Sequence, residues 1–179
     1  NINNVKIPSQ DIDNVITPPL SSYGIAYVPK AFNVNSKLSP TEASQSIKLT
    51  GNFHVGVRDL RGTNSSWQLT AHLQWDKKQL PGAEILTTGN VVKKNTNNGI
   101  DDFKESDLKD CPSTDVFALS NIVIGSTQSK PFMIAQQTGH GAVYDYNLGQ
   151  VTLRINNPKN VEADNYQGNV VWDLSNVMS

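Results

Sequence analysis

The protein has few side chains that could act as acids, bases, nucleophiles or metal ligands. Its only histidines are His54, His72 and His140, and no two of them have the short spacing of a zinc site. The single cysteine, Cys111, has no histidine close in sequence to activate it. No G-x-S-x-G motif presents a serine as a nucleophile. We therefore expect no catalytic residue and no functional disulfide.

Carboxylates are more numerous, but their spacing fits no known site closely. Residues 101–107 carry four of them, and a solvated acidic loop is a better interpretation than a glycoside-hydrolase pair. Asp145 opens a stretch similar to the start of a calcium loop. The twelfth position of that stretch is Asn156 and not the glutamate that binds calcium through both oxygens. We expect no obligatory metal and no cofactor.

The composition favours strands and turns as the elements that position these side chains. Hydrophobic residues make up 37% of the 179 residues and charged residues 17%, both below ordinary globular values. Asn, Ser and Thr replace them, and they suit strand faces and turns better than helices. Turn signals such as Leu80-Pro81-Gly82 recur at short intervals. This pattern predicts an all-β fold, an antiparallel β-sandwich or barrel-like domain of about eight to twelve strands with little helix.

The clearest strand runs from Ser66 to Trp75, where apolar and polar residues alternate. A period of two is typical of a half-buried strand. Residues 53–59 predict a preceding strand, and the turn at Arg61-Gly62-Thr63-Asn64 predicts that the two pair as an antiparallel hairpin. Alternation over 151–155 and 169–174 predicts two later strands. Weaker patterns mark the segments 23–28, 47–50, 85–87, 91–93, 116–124, 132–135 and 142–146.

Charge and hydropathy exclude several classes of partner. The net charge is −1, and no basic stripe is present to neutralise the phosphates of a nucleic acid. No apolar run reaches the roughly 18 residues of a membrane span, and no basic stretch followed by an apolar one predicts a signal peptide in this chain. Residues 1–20 are predicted as a partly flexible N-terminal leader, and residues 21–179 as the β domain.

Two tripeptides of the form W-x-L are the most distinctive feature of the sequence. They are Trp67-Gln68-Leu69 and Trp172-Asp173-Leu174, and in a strand each places an indole and an isobutyl group on one face. The preferred interpretation is that both tryptophans anchor the core, since each would bury about 150–250 Å². The alternative is an exposed platform for sugar rings or for the side chains of a partner. The neighbouring surface contacts would then be Asp59, Arg61, Gln68 and Asp173.

These paired motifs resemble the WxL domain, a cell-surface module of low-GC Gram-positive bacteria. The resemblance runs from about Tyr23 to Asn176 and includes the D-x-R-G stretch Asp59 to Gly62 before the first motif. It also includes Leu80-Pro81-Gly82-Ala83, Gly149-Gln150-Val151-Thr152-Leu153 and Tyr166 before the second motif. Because the domain takes up nearly the whole chain, a stand-alone small WxL protein is expected.

The resemblance implies a non-catalytic, secreted protein that attaches non-covalently to the cell wall, with peptidoglycan as its ligand. It also implies a WxL-interacting surface protein as a partner. Two alternatives stay open: a protein-interaction or host extracellular-matrix adhesin subunit whose wall attachment is indirect, and an enzyme acting on wall glycan. Because the chain is nearly neutral, binding to anionic wall polymers would rest on stacking and hydrogen bonds, or pass through a partner.

Overall fold

The computed structural model describes residues 4–8, 22–29, 31–61, 66–97, 103–136 and 141–176. They form fifteen strands and two single turns of 3-10 helix, Glu105–Asp107 and Pro158–Asn160. The predicted all-β fold with little helix is therefore confirmed. In chain order the strands are β1 (Asn4–Pro8), β2 (Tyr23–Tyr27), β3 (Ala31–Val34), β4 (Ser44–Leu49), β5 (His54–Asp59), β6 (Ser66–Trp75), β7 (Ala83–Leu86), β8 (Val92–Asn95), β9 (Leu108–Asp110), β10 (Val116–Ala118), β11 (Val123–Ile124), β12 (Lys130–Gln136), β13 (Ala142–Asn147), β14 (Val151–Asn156) and β15 (Asn165–Asn176).

The strands form three sheets. The first has the order β10-β12-β6-β15-β1-β3, the second β11-β7-β14-β4 and the third β2-β5-β13-β8-β9. Every pairing is antiparallel except that of β1 with β15. The strand count exceeds the predicted eight to twelve, because strands as short as β9, β10 and β11 hold only two or three residues. Segments of that length are too short to show an alternating pattern.

The inner faces of all three sheets contribute to one hydrophobic core. Trp67 of the first sheet, Leu153 of the second and Tyr144 of the third all belong to it. Strand β6 shows the predicted alternation, with its odd-numbered residues from Trp67 to Leu73 buried. In β12 an extra residue, Phe132, interrupts the pairing with β6, and both Phe132 and Met133 are fully buried. Such a β-bulge changes the direction in which a side chain points without ending the sheet.

The predicted hairpin between residues 53–59 and 66–75 is wrong. Both segments are strands, but β5 pairs with β2 and β13 in the third sheet, whereas β6 pairs with β12 and β15 in the first. The chain between Asp59 and Ser66 therefore connects two different sheets. A local turn signal marks a reversal of direction, and it does not distinguish a hairpin from a crossover between packed sheets.

The third sheet is buried on both faces at β5, where all six residues are buried. Val55 and Val57 belong to the main core. A smaller apolar cluster lies apart from that core and consists of Ala26, Tyr27 and Val143, with Phe103 packed against it. The segment before the first 3-10 turn thus covers the sheet on the side away from the main core.

Strand β1 lies within the stretch predicted as a leader. It pairs in parallel with β15, Asn4 to Lys6 opposite Asn165 to Gln167, and antiparallel with β3. The remainder of residues 1–20 lies outside the described residues, so the division of the chain at residue 20 stays a prediction.

Candidate functional site

The two W-x-L motifs lie on neighbouring strands of the first sheet. Strands β6 and β15 pair over nine residues, with Trp67 opposite Asn176 and Trp172 opposite Ala71. Because the pairing is antiparallel, the two tripeptides run in opposite directions along one ladder. Motifs that lie far apart in sequence are therefore adjacent in space.

Both indoles of the motifs are in the core. Trp67 is 0% exposed and Trp172 is 3% exposed. The Trp67 ring packs 5.9 Å from the Tyr144 ring of the third sheet, and the Trp172 ring packs 5.1 Å from the Phe132 ring. Rings enclosed in this way have no free face for a sugar. This position agrees with the interpretation of the tryptophans as core anchors.

The leucines and the central residues of the motifs differ in exposure. Leu69 is fully buried, whereas Leu174 is half-buried near the end of its strand. Gln68 and Asp173 point to the outer face of the first sheet, where Gln68 is half-buried and Asp173 is 59% exposed. His72 lies on the same face, with Nδ1 3.3 Å from Ser129 Oγ and 3.9 Å from Asp173 Oδ2. The outer face is thus polar along β6 and at Asp173 of β15, and it includes two of the four predicted contact residues.

Asp59, the third predicted contact, is not a surface residue, and that expectation is wrong. Its side chain is 0% exposed, and its carboxylate accepts hydrogen bonds from Arg61 Nε (2.9 Å), Arg61 Nη2 (3.3 Å) and the Arg61 backbone N–H (3.3 Å). The Arg61 guanidinium also lies 3.6 Å from the centre of the Tyr23 ring. A carboxylate becomes buried only when it is paired in this way. The D-x-R stretch therefore closes the end of β5 against β2.

A second polar cluster, which no sequence pattern predicted, surrounds His54. His54 Nδ1 lies 2.8 Å from Asp145 Oδ1, and Nε2 lies 2.9 Å from Glu105 Oε1. The Tyr27 hydroxyl donates a 2.5 Å hydrogen bond to Asp145 Oδ2, and Asn52 Nδ2 donates to Glu105 Oε1 at 2.5 Å. Because His54 and Asp145 are 91 residues apart, only the pairing of β5 with β13 brings them together.

The electrostatics of this cluster favour a charged imidazole. Burial alone would lower the pKa of His54, but the hydrogen bond and charge of Asp145, followed by those of Glu105, outweigh it and raise that pKa. The hydrogen bond from Asn52 and the charge of His54 lower the pKa of Glu105. Carboxylates only accept hydrogen bonds, so both ring nitrogens donate in this arrangement.

The polar groups of this cluster bond mainly to one another. Both nitrogens of His54 are engaged, and burial, followed by the charge of Asp145, raises the pKa of the Tyr27 hydroxyl well above its ordinary value. Asp145 is buried in β13, so it does not begin an open calcium loop. Burial also raises the pKa of the Cys111 thiol, which keeps it protonated. His140, Asp101 and Asp102 lie outside the described residues. Within the described part of the chain, no three His, Cys, Asp or Glu side chains are arranged to hold a metal.

Comparison with known proteins gives one match. A family model described as "WxL domain surface cell wall-binding" matches residues 23–177. No curated protein and no solved structure matches the chain. Neither of the two 3-10 turns in the described residues has the length or apolar character needed to span a membrane.

Proposed function

The chain belongs to the WxL domain family of cell-wall-binding surface domains, and on that premise we propose that it binds peptidoglycan directly and without catalysis. The observation that carries this proposal is the row of outward polar side chains on β6 and β15, beneath which both W-x-L indoles are buried. Their burial argues against stacking on these two rings as the mode of attachment. The protein contacts the wall from outside the core, through hydrogen bonds of exposed side chains.

The outer face of the first sheet has suitable chemistry for a neutral glycan. The outward residues of β6 are Ser66, Gln68, Thr70, His72 and Gln74, and they lie next to Asp173 and Ser175 of β15. Amides, hydroxyls and carboxylates of this kind donate to and accept from sugar hydroxyls and acetamido groups. A net charge of −1 agrees with a mode of binding that does not depend on a basic surface. We keep Gln68 and Asp173 as proposed contacts.

Retention on purified, protein-free peptidoglycan tests the proposal. Wild-type protein should co-sediment with the sacculi, and the double variant Gln68→Ala/Asp173→Ala should be retained less while its melting temperature stays unchanged. Asp110→Ala is the matched control, because Asp110 is an exposed carboxylate in the third sheet and its loss should leave retention intact. Wild-type protein that stays in the supernatant would refute direct binding.

The absence of catalysis is tested in the same preparation. Sacculi incubated with wild-type protein should release no muropeptides into solution, as judged by chromatography. Release that exceeds a buffer control would instead assign an enzyme activity to the chain.

A second function, attachment through a protein partner, is favoured by one exposed aromatic residue. Phe117 of edge strand β10 is 55% exposed and lies opposite Ile134 of β12 on the outer face. Exposed apolar side chains on a sheet edge suit a protein interface. The partner would be a WxL-interacting surface protein or a host-matrix protein. If this function holds, Phe117→Ser abolishes retention on whole cell walls that keep their proteins, and purified peptidoglycan retains neither form.

A further inference from the structure

Strand β6 extends beyond its neighbour β12, and this mismatch opens a hollow at one end of the first sheet. The ladder with β12 ends where Lys130 lies opposite Ala71. Beyond that point the loop that precedes β12 approaches β6 through a backbone hydrogen bond from Leu73 N–H to Gly125 O (2.8 Å). The space between strand and loop is a cavity of about 500 Å³, and Gln74, Trp75 and Thr127 are among the residues that line it.

This hollow is part of a longer cleft. A second hollow of about 430 Å³ adjoins it and shares Asp76, Lys77 and Lys78 with it. On the other side, a third hollow shares Gln79, Ser126 and Thr127 with the first. A fourth hollow shares Gly125, Thr127 and Glu84 with the third. Four adjoining hollows make a groove that leads from β15, past the end of β6, to β7 and β14. A groove of this form fits an extended polymer better than a single small molecule.

The lining of the cleft is mainly uncharged and rich in hydrogen-bonding groups. Amide and hydroxyl side chains predominate, and they belong to Gln74, Gln79, Gln128, Asn156, Asn165, Gln167, Ser126 and Thr127. Two of its four lysine and arginine side chains are neutralised within the protein, since Lys78 pairs with Asp164 and Arg154 Nη2 lies 2.8 Å from Glu84 Oε1. The other two are Lys77 and Lys130. Trp75 packs against the hydrophobic core, and the exposed part of its half-buried side chain adds an aromatic surface to the lining. Aromatic and amide groups together are suited to sugar rings that carry acetamido substituents.

We infer that this cleft holds a glycan strand of β-1,4-linked N-acetylated amino sugars. The inference rests on the proposed function and assigns it a binding site apart from the W-x-L indoles. Trp75 is the tryptophan that contacts the ligand, and the exposed amides of Gln74 and Gln79 orient it.

Filling the cleft provides a test that does not depend on the core. Thr127 lines three of the four hollows and is exposed, so Thr127→Trp should occupy the cleft with little effect on the melting temperature. Thr50→Trp is the matched control. Thr50 is exposed and lies at one end of the β4/β14 ladder, whereas Asn156, which lines the cleft, lies at the other end. The probe is a β-1,4-linked hexasaccharide of N-acetylglucosamine, with binding measured by calorimetry.

We expect Thr127→Trp to weaken hexasaccharide binding by about tenfold or more, and Thr50→Trp to bind as the wild type does. The double variant Gln74→Ala/Gln79→Ala should weaken it as well. In NMR spectra, addition of the hexasaccharide should shift the indole resonance of Trp75 and leave that of Trp67 in place.

The outcomes separate the two proposals. Wild-type protein that binds sacculi while Thr127→Trp binds them equally well would overturn the cleft and leave the proposed function standing. Wild-type protein that binds a phosphate-rich wall polymer and not the hexasaccharide would also overturn the cleft assignment. Wild-type protein that binds no wall component would refute both proposals.

Discussion

Leu69 and Leu174, the third residues of the two W-x-L motifs, lie directly opposite each other in the β6/β15 ladder. The tryptophans lie on either side of this pair, because the strands run in opposite directions. Each indole therefore packs against its own aromatic partner, Trp67 against Tyr144 and Trp172 against Phe132. Trp67 thus joins the first sheet directly to the third. Phe132 lies in β12 of the first sheet itself, so Trp172 reaches the third sheet only through the contact of Phe132 with Tyr146.

Loss of either indole should destabilise the domain. Trp67→Ala and Trp172→Ala each leave a large cavity, and we expect each to lower the free energy of unfolding by about 3–5 kcal/mol. Asp110→Ala, at an exposed carboxylate of the third sheet, is the control and should change it by less than about 0.5 kcal/mol. Denaturant unfolding and wall retention should be measured on the same samples. Tryptophan variants that unfold like the wild type but are no longer retained would show that the rings belong to a binding surface.

The contact between Asp59 and Arg61 should stabilise the turn after β5. Asp59→Asn removes the charge that accepts three hydrogen bonds from Arg61, and we expect a loss of about 1.5–3 kcal/mol in the free energy of unfolding. Arg61→Lys keeps the positive charge but loses the bidentate contact with the Asp59 carboxylate. A double-mutant cycle measures the coupling between the two side chains. Strictly additive effects would contradict an energetic link between Asp59 and Arg61.

The cluster around His54 should make stability depend on pH in both directions. The pKa of His54 is raised above its ordinary value of 6.5, so its contribution is complete below pH 6.5 and is lost as the pH rises through the raised value. The pKa of Glu105 is lowered from 4.5, so its contribution is complete above pH 4.5 and is lost as the pH falls through the lowered value. We expect the cluster to stabilise the fold most between these two ordinary values.

The free energies of unfolding of His54→Gln and Glu105→Gln, measured from about pH 3 to about pH 9, test this dependence. This range covers the ordinary titrations of carboxyl and imidazole groups. Glu105→Gln should flatten the acidic limb of the stability curve, and His54→Gln should flatten the basic limb. Wild-type stability that continues to rise with pH beyond neutrality would contradict the charged state assigned to His54.

Gly82 should be difficult to replace. It has a φ of +69°, and a Cβ there would lie 2.6 Å from the backbone oxygen of Asn156. Gly82→Ala should therefore cost about 1–2 kcal/mol from the left-handed backbone alone, and more from the collision with β14. Gly125→Ala is the matched control, since no atom lies within 4 Å of a Cβ built there. Equal melting temperatures for the two variants would show that the turn before β7 can adjust its backbone.

Much of the fold follows from local patterns. The alternation from Ser66 to Trp75 predicts β6 and its buried face correctly, and the patterns over 151–155 and 169–174 lie within β14 and β15. The same patterns do not predict which other strand a given strand pairs with. The turn after Asp59 predicts a hairpin, whereas β5 and β6 lie in different sheets, because partner choice depends on long-range burial as well as on the turn.

The sequence by itself determined the class of the fold, the burial face of its longest alternating strand and, through the paired W-x-L motifs, the family. These properties depend on side-chain period and on short motifs, which are local. Only the tertiary structure decided that Asp59 is buried, that His54 meets Asp145 and Glu105, and that a cleft lies beyond the end of β12. Each of these depends on the register between strands distant in the chain or on the packing of one sheet against another, and no local pattern encodes either.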